Sequence, residues 1–458
     1  MEIVKVEEVI VKELERQIGK ENVLRKERIE EEYFYDAGTK GAVHRPEIVV
    51  FPKDAEKVAS VIKIANTYNV PVTPRGGGTG LAGAAVALAG GILMDFKYMN
   101  RILELNAAGG YAIVEPAVKT SSLQEVAAKQ GLLYAGDPCS NDACVLAGNI
   151  ATNAGGNRAV KYGVTADQIY EIELVTPTGD IVHLGGRVEK NATGYNLFRL
   201  ITGSEGTLGI VTKATVKLYP LAQFMPTYLA VGKTPAQIIA LVKFLKRYPQ
   251  LGVLSLEIID QKTALEIEAY QKKKVFQEPS GTCLLIQFEA YDGEDLSYKT
   301  NLLKNISSSY EAVHFTKADD AVWKARRGWG KAVQYANGKT YSEDVVVPID
   351  RLDAFIKLLA QMQESYAYEF RFAGHAGDGN MHLAVIPKEQ ETGEATYRKE
   401  FYQKIYDLGG RLSGEHGIGY KRKKYFLHLT EAVEIDLMKK IKNAWDPNGI
   451  LNPGKLFL

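Results

Sequence analysis

Two short glycine-rich segments contain the side chains best suited to binding a metal and moving a proton. His375 and His382 bracket the turn-forming run Gly377-Asp378-Gly379-Asn380, and Glu415-His416 lies between two further glycines. On an unbroken strand a spacing of seven points two side chains to opposite faces, whereas a turn between the histidines folds the chain back so that the imidazoles converge. Two imidazoles and a carboxylate suit Zn²⁺ and also non-haem Fe²⁺, so the ligand types leave the metal open. The segments predict a divalent metal site with a third imidazole beside it.

Three glycine-rich loops in the first half of the chain could bind a phosphate-containing ligand. The first spans residues 75–81, the second 136–156 and the third 203–211. Glycines in series let backbone N–H groups approach a phosphate without interference from side chains. Gly78, Gly80 and Gly83 also have the spacing of a Rossmann fingerprint, but the helix expected after it contains only small residues. Three such loops together favour an extended dinucleotide bound through its pyrophosphate.

The composition suits a small-molecule enzyme. The 458 residues are 46% hydrophobic, which is enough to bury a large core in two or three structural units. A formal net charge of +1 gives no field that would attract nucleic acid, so no nucleic-acid partner is expected. Cys139, Cys144 and Cys283 are too few for an all-cysteine iron–sulfur cluster, so any electrons taken up must leave to another molecule. With no transmembrane segment and no signal-peptide pattern in the sequence, a cytoplasmic location is expected.

The elements that must position these groups follow from the hydrophobic pattern. An N-terminal amphipathic helix, packed on its own domain, is predicted from apolar residues at helical spacing, which are Val6, Val9, Ile10, Leu14 and Ile18. Residues 48–73 predict a strand, a helix and a second strand leading into the first glycine loop, and a hairpin is predicted at residues 177–180. After Tyr219-Pro220, strands at 227–231 and 283–290 alternate with helices near 236–247 and 350–363, which predicts an antiparallel sheet with helices.

Six motifs, in this order along the chain, carry a resemblance to a known family: PRGGGTGL, GNIATNAGG, TGSEGTLGIVT, GHAGDGNMH, SGEHGIG and DPNGILNPGK. Together they closely resemble the FAD-linked oxidase family with a vanillyl-alcohol-oxidase-type, or PCMH-type, FAD-binding fold. Within that family the chain is similar to the group of glycolate oxidase subunit GlcD, D-lactate dehydrogenase and D-2-hydroxyglutarate dehydrogenase. The resemblance implies an α+β fold with a two-subdomain PCMH-type FAD-binding domain and an antiparallel-sheet cap domain for the substrate.

The resemblance also implies a domain division and a non-covalently bound FAD. The expected segments are an N-terminal helical segment at 1–40, the FAD-binding domain at 41–220, the cap domain at 221–412 and a C-terminal segment at 413–458 that completes the FAD site. Relatives with covalent flavin have a histidine where this chain has Thr79, so no covalent bond to FAD is expected. The implied FAD-binding residues are Arg75, Gly76, Gly77, Gly78, Thr79, Gly80, Pro138, Ser140, Gly148, Asn149, Thr152, Ala154, Gly155, Gly156, Ile210 and Asn452.

For the chemistry, the resemblance implies that His375, His382 and Glu415 bind a divalent metal, with Zn²⁺ expected and Fe²⁺ or Mn²⁺ as alternatives. It implies that His416 is the catalytic base and that Arg326, in Trp323-Lys324-Ala325-Arg326, binds the substrate carboxylate. The expected reaction is oxidation of a D-2-hydroxy acid to the 2-oxo acid, with electrons passed to an electron-transferring flavoprotein, an iron–sulfur subunit, a cytochrome or a quinone. Members specialised for 2-hydroxyglutarate carry a lysine near the strand where this chain has Ser342, which favours D-lactate or glycolate.

Four other functions are compatible with parts of this pattern. D-2-hydroxyglutarate oxidation is the alternative within the same group. A nicotinamide-dependent dehydrogenase would follow from the Rossmann spacing alone, and it would lack a yellow chromophore. The same fold also hosts a redox-neutral, flavin-containing alkyl-glycerone-phosphate synthase, and a flavin relay subunit without its own substrate is a further alternative. Reduction of bound flavin by a 2-hydroxy acid separates oxidation from both of these.

Overall fold

The computed structural model describes residues 6–277, 279–310, 313–388 and 396–457, so residues 1–5 of the expected N-terminal segment lie outside the described part. The chain divides into two compact units. The first unit comprises Met1–Gly155, Val164–Leu221 and His416–Leu458, and the second comprises Gly156–Gly163 and Ala222–Glu415. The sequence did not indicate that residues 156–163 would leave one unit for the other. The domain boundaries expected above stay a prediction.

The described helices and strands up to residue 221 are α1 (Glu8–Ile18), β1 (Val23–Arg25), β2 (Ile48–Val50), α2 (Ala55–Thr67), β3 (Val72–Arg75), β4 (Ile92–Asp95), β5 (Ile102–Asn106), β6 (Tyr111–Val114), α3 (Thr120–Ala128), β7 (Leu132–Leu133), α4 (Leu146–Thr152), α5 (Ala159–Tyr162), β8 (Ile169–Val175), β9 (Ile181–Gly185), α6 (Leu197–Ile201), β10 (Ile210–Lys217) and β11 (Tyr219–Pro220).

Those that follow are β12 (Thr227–Gly232), α7 (Pro235–Lys246), β13 (Val253–Ile259), α8 (Gln261–Gln271), β14 (Thr282–Phe288), α9 (Gly293–Ser308), β15 (Val313–Ala318), α10 (Ala321–Arg327), α11 (Trp329–Asn337), β16 (Tyr341–Val346), α12 (Leu352–Ser365), β17 (Tyr368–His375), β18 (Asn380–Pro387), α13 (Arg398–Asp407), α14 (Lys423–Leu429) and α15 (Ala432–Trp445).

The first unit contains two main sheets. One has the order β1-β2-β4-β3, with β2, β4 and β3 parallel and β1 antiparallel. The other is antiparallel in the order β5-β6-β10-β8-β9, and a short pair joins β7 to β11. The predicted strand-helix-strand unit is confirmed as β2, α2 and β3, and the Asp54 side chain caps α2 by accepting from the Lys57 amide at 2.7 Å. β3 runs on to Arg75 through Pro74, and proline is tolerated there because β3 is last in its sheet.

The N-terminal helix is confirmed, with one error in the predicted face. α1 buries Ile10, Val11, Leu14 and Ile18 in the same hydrophobic cluster as α2, so it packs on its own unit. Val9, which was predicted to face inward, is 49% exposed. Val11 takes its place because Ile10, Val11, Leu14 and Ile18 form the i, i+1, i+4, i+8 stripe of one helix face.

The second unit is built on a seven-stranded antiparallel sheet in the order β15-β12-β14-β13-β17-β18-β16. Apolar side chains of β12, β13, β14 and β17 form a buried cluster with α8, α10 and α11. The mixture of helices with antiparallel sheets confirms the expected α+β class. Among the described residues no helix is long and apolar enough to span a membrane.

Candidate active site

A tight hairpin in the second unit brings the two histidines together. β17 ends at His375 and β18 begins at Asn380, and the connecting turn uses Gly379 at a φ of +83°. In the β17–β18 pairing His382 lies opposite Ala373, which is two residues from His375, so both imidazoles are on the same face of the sheet. Their ring centroids are 5.1 Å apart. The predicted convergence of the two imidazoles across a turn is confirmed.

Glu415 supplies a carboxylate to this histidine pair. Its Oε1 lies 3.3 Å from Nε2 of His382 and 3.6 Å from Nε2 of His375. These distances exceed a good N–H···O bond, but they are close to the ~3.3 Å between two ligands that each lie about 2.0–2.1 Å from a tetrahedral metal ion. Nε2 of His375 is buried without a hydrogen-bond partner among the described residues. The three side chains, whose ligand atoms all lie within 4.8 Å of one another, therefore fit a divalent cation.

The electrostatics of this cluster favour the binding of a positive charge. Burial alone would raise the pKa of Glu415, but His375 and His382 outweigh it and hold that pKa well below its usual value. Burial alone would lower the pKa of His375, but Glu257 and then Glu415 raise it well above the usual value. The carboxylate is thus ionised and demands a cationic partner, which either protons on the imidazoles or a metal ion can supply.

Two buried acids that the sequence analysis missed support the histidines. Glu257 of β13 lies 2.7 Å through Oε1 from Nδ1 of His375 and 2.9 Å through Oε2 from Nη2 of Arg326. Asp344 of β16 accepts hydrogen bonds from the amides of Gly414 and Glu415 at 3.2 and 3.1 Å, and so fixes the Glu415 loop. A sequence signal existed for Glu257, which is the single acid of the largely apolar strand β13, but not for Asp344, which follows Glu343 in a strand with a polar first half.

Arg326 lies in α10 and is 1% exposed, so its guanidinium is buried and not solvated. Its partner is Glu257, and neither Nε nor Nη1 has a hydrogen-bond partner among the residues that the structure describes. A buried guanidinium with unused donors is suited to an anionic ligand.

In the first unit, the first glycine loop has backbone N–H groups that are available to bind a ligand. Within the described ranges, none of the five amide N–H groups of residues 76–80 donates to a protein acceptor. The loop packs closely on the second one, since a Cβ at Gly77 would lie 2.6 Å from the Ala143 carbonyl oxygen and one at Gly76 would lie 2.8 Å from Val145 Cγ2. Five consecutive free donors with little side-chain bulk fit a pyrophosphate.

The comparisons with known proteins agree with this geometry. The FAD-linked oxidase C-terminal domain matches residues 221–456, and an FAD-binding domain matches residues 46–185. The chain is 34% identical to "D-lactate dehydrogenase" of Anaerostipes hadrus, with 96% of each chain covered. The chain belongs to the FAD-linked oxidase family.

Further relatives in the FAD-linked oxidase family differ in their names. The chain is 35% identical to "Glycolate oxidase subunit GlcD" of Bacillus subtilis, over 93% of this chain and 92% of that one. It is 32% identical to "D-2-hydroxyglutarate dehydrogenase" of Stutzerimonas stutzeri, with 92% of each covered. The solved structure of p-cresol methylhydroxylase matches with a TM-score of 0.82 at 17% identity, over 98% of this chain and 96% of that one. This likeness confirms the expected PCMH-type fold.

Membership of the FAD-linked oxidase family makes FAD the cofactor. The other residues expected to bind FAD lie in a turn, in α4 and the segment after it, and at the start of β10. Pro138 and Ser140 form a turn in which Asn141 N donates to the Pro138 carbonyl at 3.0 Å. Gly148, Asn149 and Thr152 belong to α4, where Nδ2 of the Asn149 side chain donates to Thr120 Oγ1 at 2.8 Å. After that helix come Ala154, Gly155 and Gly156. The first unit ends at Gly155 and the second begins at Gly156. Ile210 is buried and is the first residue of β10.

Arg75 and Asn452 differ in how well they suit that cofactor. The Arg75 guanidinium donates to the carbonyls of Glu32, Tyr35 and Ala85 at 2.8–3.3 Å, so its side chain holds the protein backbone. Asn452 donates to the carbonyls of Ala84 and Glu205, whereas its buried Oδ1 has no partner among the described residues. An unused buried acceptor at Asn452 fits a donor on a bound ligand.

Glu205, in the third glycine loop, is a buried acid that the sequence analysis did not single out. Its carboxylate accepts from the amides of Ile418 and Gly419 at 2.7 and 2.8 Å, and so ties this loop to the segment that begins with His416. Burial raises the pKa of Glu205 to about 7, although these two amides, Lys455 and Arg422 oppose the shift. The signal in the sequence was that Glu205 is the single charged residue of the glycine-rich run at residues 203–209.

Cys144 and Cys283 are packing residues in their observed surroundings. Cys144 and Cys283 are buried, and burial raises the pKa of both thiols. Cys144 lies 3.3 Å from Thr120 Oγ1, and Cys283 belongs to the sheet cluster of the second unit. A buried thiol with a raised pKa has little thiolate character and is therefore unreactive.

Proposed function

We propose that the chain oxidises a D-2-hydroxy acid to the 2-oxo acid, with D-lactate or glycolate as the substrate and an external electron acceptor. The observation that carries the proposal is the buried set of His375, His382 and Glu415, linked through Glu257 to the unused guanidinium donors of Arg326. A chelating site next to an anion-binding arginine suits an acid that bears a hydroxyl beside its carboxylate. The names of the relatives, which include a D-lactate dehydrogenase and a glycolate oxidase subunit, favour the same class.

When bound, FAD accepts a hydride at N5, and a divalent metal, for which Zn²⁺ is the first candidate and Fe²⁺ or Mn²⁺ the alternatives, lowers the pKa of the substrate hydroxyl. His375, His382 and Glu415 would hold that metal. Arg326 would bind the substrate carboxylate through Nε and Nη1 and so fix which face of Cα is presented. His416, joined to Glu415 by a peptide bond, would accept the hydroxyl proton.

The FAD would be held without a covalent bond. The free amides of residues 76–80 would bind its pyrophosphate, and Asn452 Oδ1 would accept a hydrogen bond from it. Thr79 has no side chain able to form the histidine linkage of the covalent relatives.

The test is an anaerobic titration of the purified yellow protein with D-lactate, L-lactate, glycolate and D-2-hydroxyglutarate, following the flavin absorbance. We expect bleaching by D-lactate or glycolate and none by L-lactate. Preferential bleaching by D-2-hydroxyglutarate would instead select the dicarboxylate alternative, which the relative of that name keeps open. Absence of bleaching by all four acids would overturn the proposal.

The proton acceptor needs a variant of its own. His416→Asn should retain FAD and lose most of the flavin reduction rate, because an amide cannot accept the hydroxyl proton. A His416→Asn protein that is reduced at a near-normal rate would show that another group is the base.

A further inference from the structure

Glu257 is a carboxylate buried at the centre of a sheet. It lies near the middle of β13, is 0% exposed and pairs directly with His375 of β17. Both of its oxygens face a functional side chain, with Oε1 2.7 Å from His375 Nδ1 and Oε2 2.9 Å from Arg326 Nη2. Glu257 therefore contacts one proposed metal ligand and the proposed substrate-binding arginine at the same time.

Stability does not account for an acid at this position. Moving a carboxylate and a guanidinium out of water costs several kcal/mol for each ion, and a buried pair often contributes less to stability than apolar side chains of the same volume. Of the neighbouring residues on this face, Ile259 and Leu285 are apolar, and Ser255 donates a long hydrogen bond of 3.4 Å to Oε1 of Glu257. A charge maintained among them points to a role in the chemistry of the site.

The two contacts have defined consequences. As an acceptor at Nδ1, Oε1 keeps that nitrogen protonated, which leaves the Nε2 lone pair directed toward Glu415 for a metal ion. Oε2 holds one end of the Arg326 guanidinium, and Nε and Nη1 stay without a partner among the described side chains and backbone groups. A guanidinium fixed in this way presents its free donors in one orientation.

We propose that Glu257 is the positioning residue that couples the metal site to the substrate-carboxylate site, by orienting His375 through one oxygen and Arg326 through the other. This inference rests on the function proposed above. It requires that loss of the Glu257 charge weaken metal binding and anion binding together.

The experiment compares three variants with the wild-type FAD-loaded protein. Glu257→Gln keeps the size of the side chain and removes its charge. Glu343→Gln is the matched control, because Glu343 is also a buried acid of the same sheet and is paired with an arginine, Arg398, at 2.7 Å, but none of its described partners is a histidine of the site. Arg326→Lys keeps the cation beside Glu257 but loses the planar fork.

Two dissociation constants are measured, neither of which depends on turnover. The first is that of Zn²⁺, obtained by competition with a chromophoric chelator. The second is that of oxalate, a non-reacting dianion, obtained from the perturbation of the flavin spectrum at saturating Zn²⁺. We expect Glu257→Gln to weaken Zn²⁺ binding by about 10–100-fold and oxalate binding by about tenfold. Arg326→Lys should weaken oxalate alone, and Glu343→Gln should change neither constant by more than twofold.

Each other outcome has a distinct meaning. Wild-type Zn²⁺ affinity in Glu257→Gln overturns the inference, as does equal weakening in Glu343→Gln, which would reveal a general cost of removing a buried acid. If Glu257→Gln does not fold, a tenfold loss of Zn²⁺ affinity in Arg326→Lys would still overturn it, because the Glu257–His375 contact is intact in that variant. Failure of the wild-type protein itself to bind Zn²⁺ would count against the proposed function rather than against the role of Glu257.

Discussion

The two units of the chain carry their functional groups in different ways. In the second unit the groups are side chains on paired strands, and the register of β13, β17, β18 and β16 places Glu257, His375, His382 and Asp344 on one face of the sheet. In the first unit the groups are backbone amides in loops, above all those of residues 76–80. A strand-borne site therefore depends on the chemical identity of a few side chains, whereas a loop-borne site depends on the absence of side chains.

This difference predicts different sensitivities to substitution. Removal of one proposed metal-binding side chain from the second unit should abolish substrate oxidation and leave FAD bound. Addition of one methyl group to the first glycine loop of the first unit should weaken FAD binding and leave metal binding unchanged.

The largest effect is expected from His382→Ala. Loss of this proposed metal ligand would remove polarisation of the substrate hydroxyl, which is worth several kcal/mol, so flavin reduction by the substrate should slow by about 10³-fold. Metal content should fall, while the ratio of FAD to protein stays at the wild-type value. Rapid-mixing absorbance and elemental analysis measure the two quantities. If the variant loses FAD as readily as it loses metal, the sites are not independent.

Sequence alone predicted more of the proposed metal site in the second unit than of the residues around it. His375, His382 and Glu415 could be found because imidazoles and carboxylates between glycines have few structural uses, and the turn between the histidines could be inferred from residues 377–380. Glu257 and Asp344 were missed because their partners lie on other strands, for example His375 at a sequence separation of 118 from Glu257 and Asn380 at a separation of 36 from Asp344. Such contacts depend on strand register, which a single sequence does not reveal.

In the first unit sequence patterns found the loops but not what each side chain does. The glycine spacing marked residues 75–81, yet the guanidinium of Arg75 is directed to backbone carbonyls contributed by residues 32, 35 and 85. Glu205 went unnoticed because its ties to Ile418 and Gly419 span more than 200 residues. The excursion of residues 156–163 into the second unit was also missed, because its contacts, such as that of the Tyr162 hydroxyl with Glu289, join residues 127 positions apart.

A smaller effect, on the free energy of unfolding, is expected from Glu205→Gln, and this effect should depend on pH. The pKa of Glu205 is raised from 4.5 to about 7 by burial, so between these values the folded protein binds a proton that the unfolded chain has released. The wild-type free energy of unfolding should therefore fall as pH rises through this window and level off above about pH 7. Glutamine does not titrate, so relative to wild type the variant should gain about 2 kcal/mol between pH 5 and pH 7.

Urea unfolding of both proteins at several pH values between 5 and 7 measures this difference. Lys455 is the other strongly shifted group near Glu205, and its pKa is lowered to about 7, so its own window lies above the range used. A difference between the two proteins that does not change with pH would show that Glu205 is ionised throughout.

The smallest effect is expected from single methyl groups in the first glycine loop. At Gly77 a Cβ would lie 2.6 Å from the Ala143 carbonyl oxygen, whereas at Gly80 the nearest atom would be Asp36 Oδ2 at 3.8 Å. Overpacking of this kind costs about 1–3 kcal/mol, so Gly77→Ala should weaken FAD binding by about tenfold and lower the thermal stability. The metal content should not change, because the proposed metal ligands belong to the other unit.

Gly80→Ala is the matched control, since it adds the same methyl group to the same loop without a protein clash. Its thermal stability without FAD should equal that of the wild type, so any loss of FAD affinity reports only on how closely the ligand approaches residue 80. Titration of FAD into the deflavinated proteins, with melting curves alongside, separates the two effects. If both variants melt at the wild-type temperature and bind FAD normally, FAD binding does not require glycine at positions 77 and 80. The proposed contrast between the two units would then be wrong for the first unit.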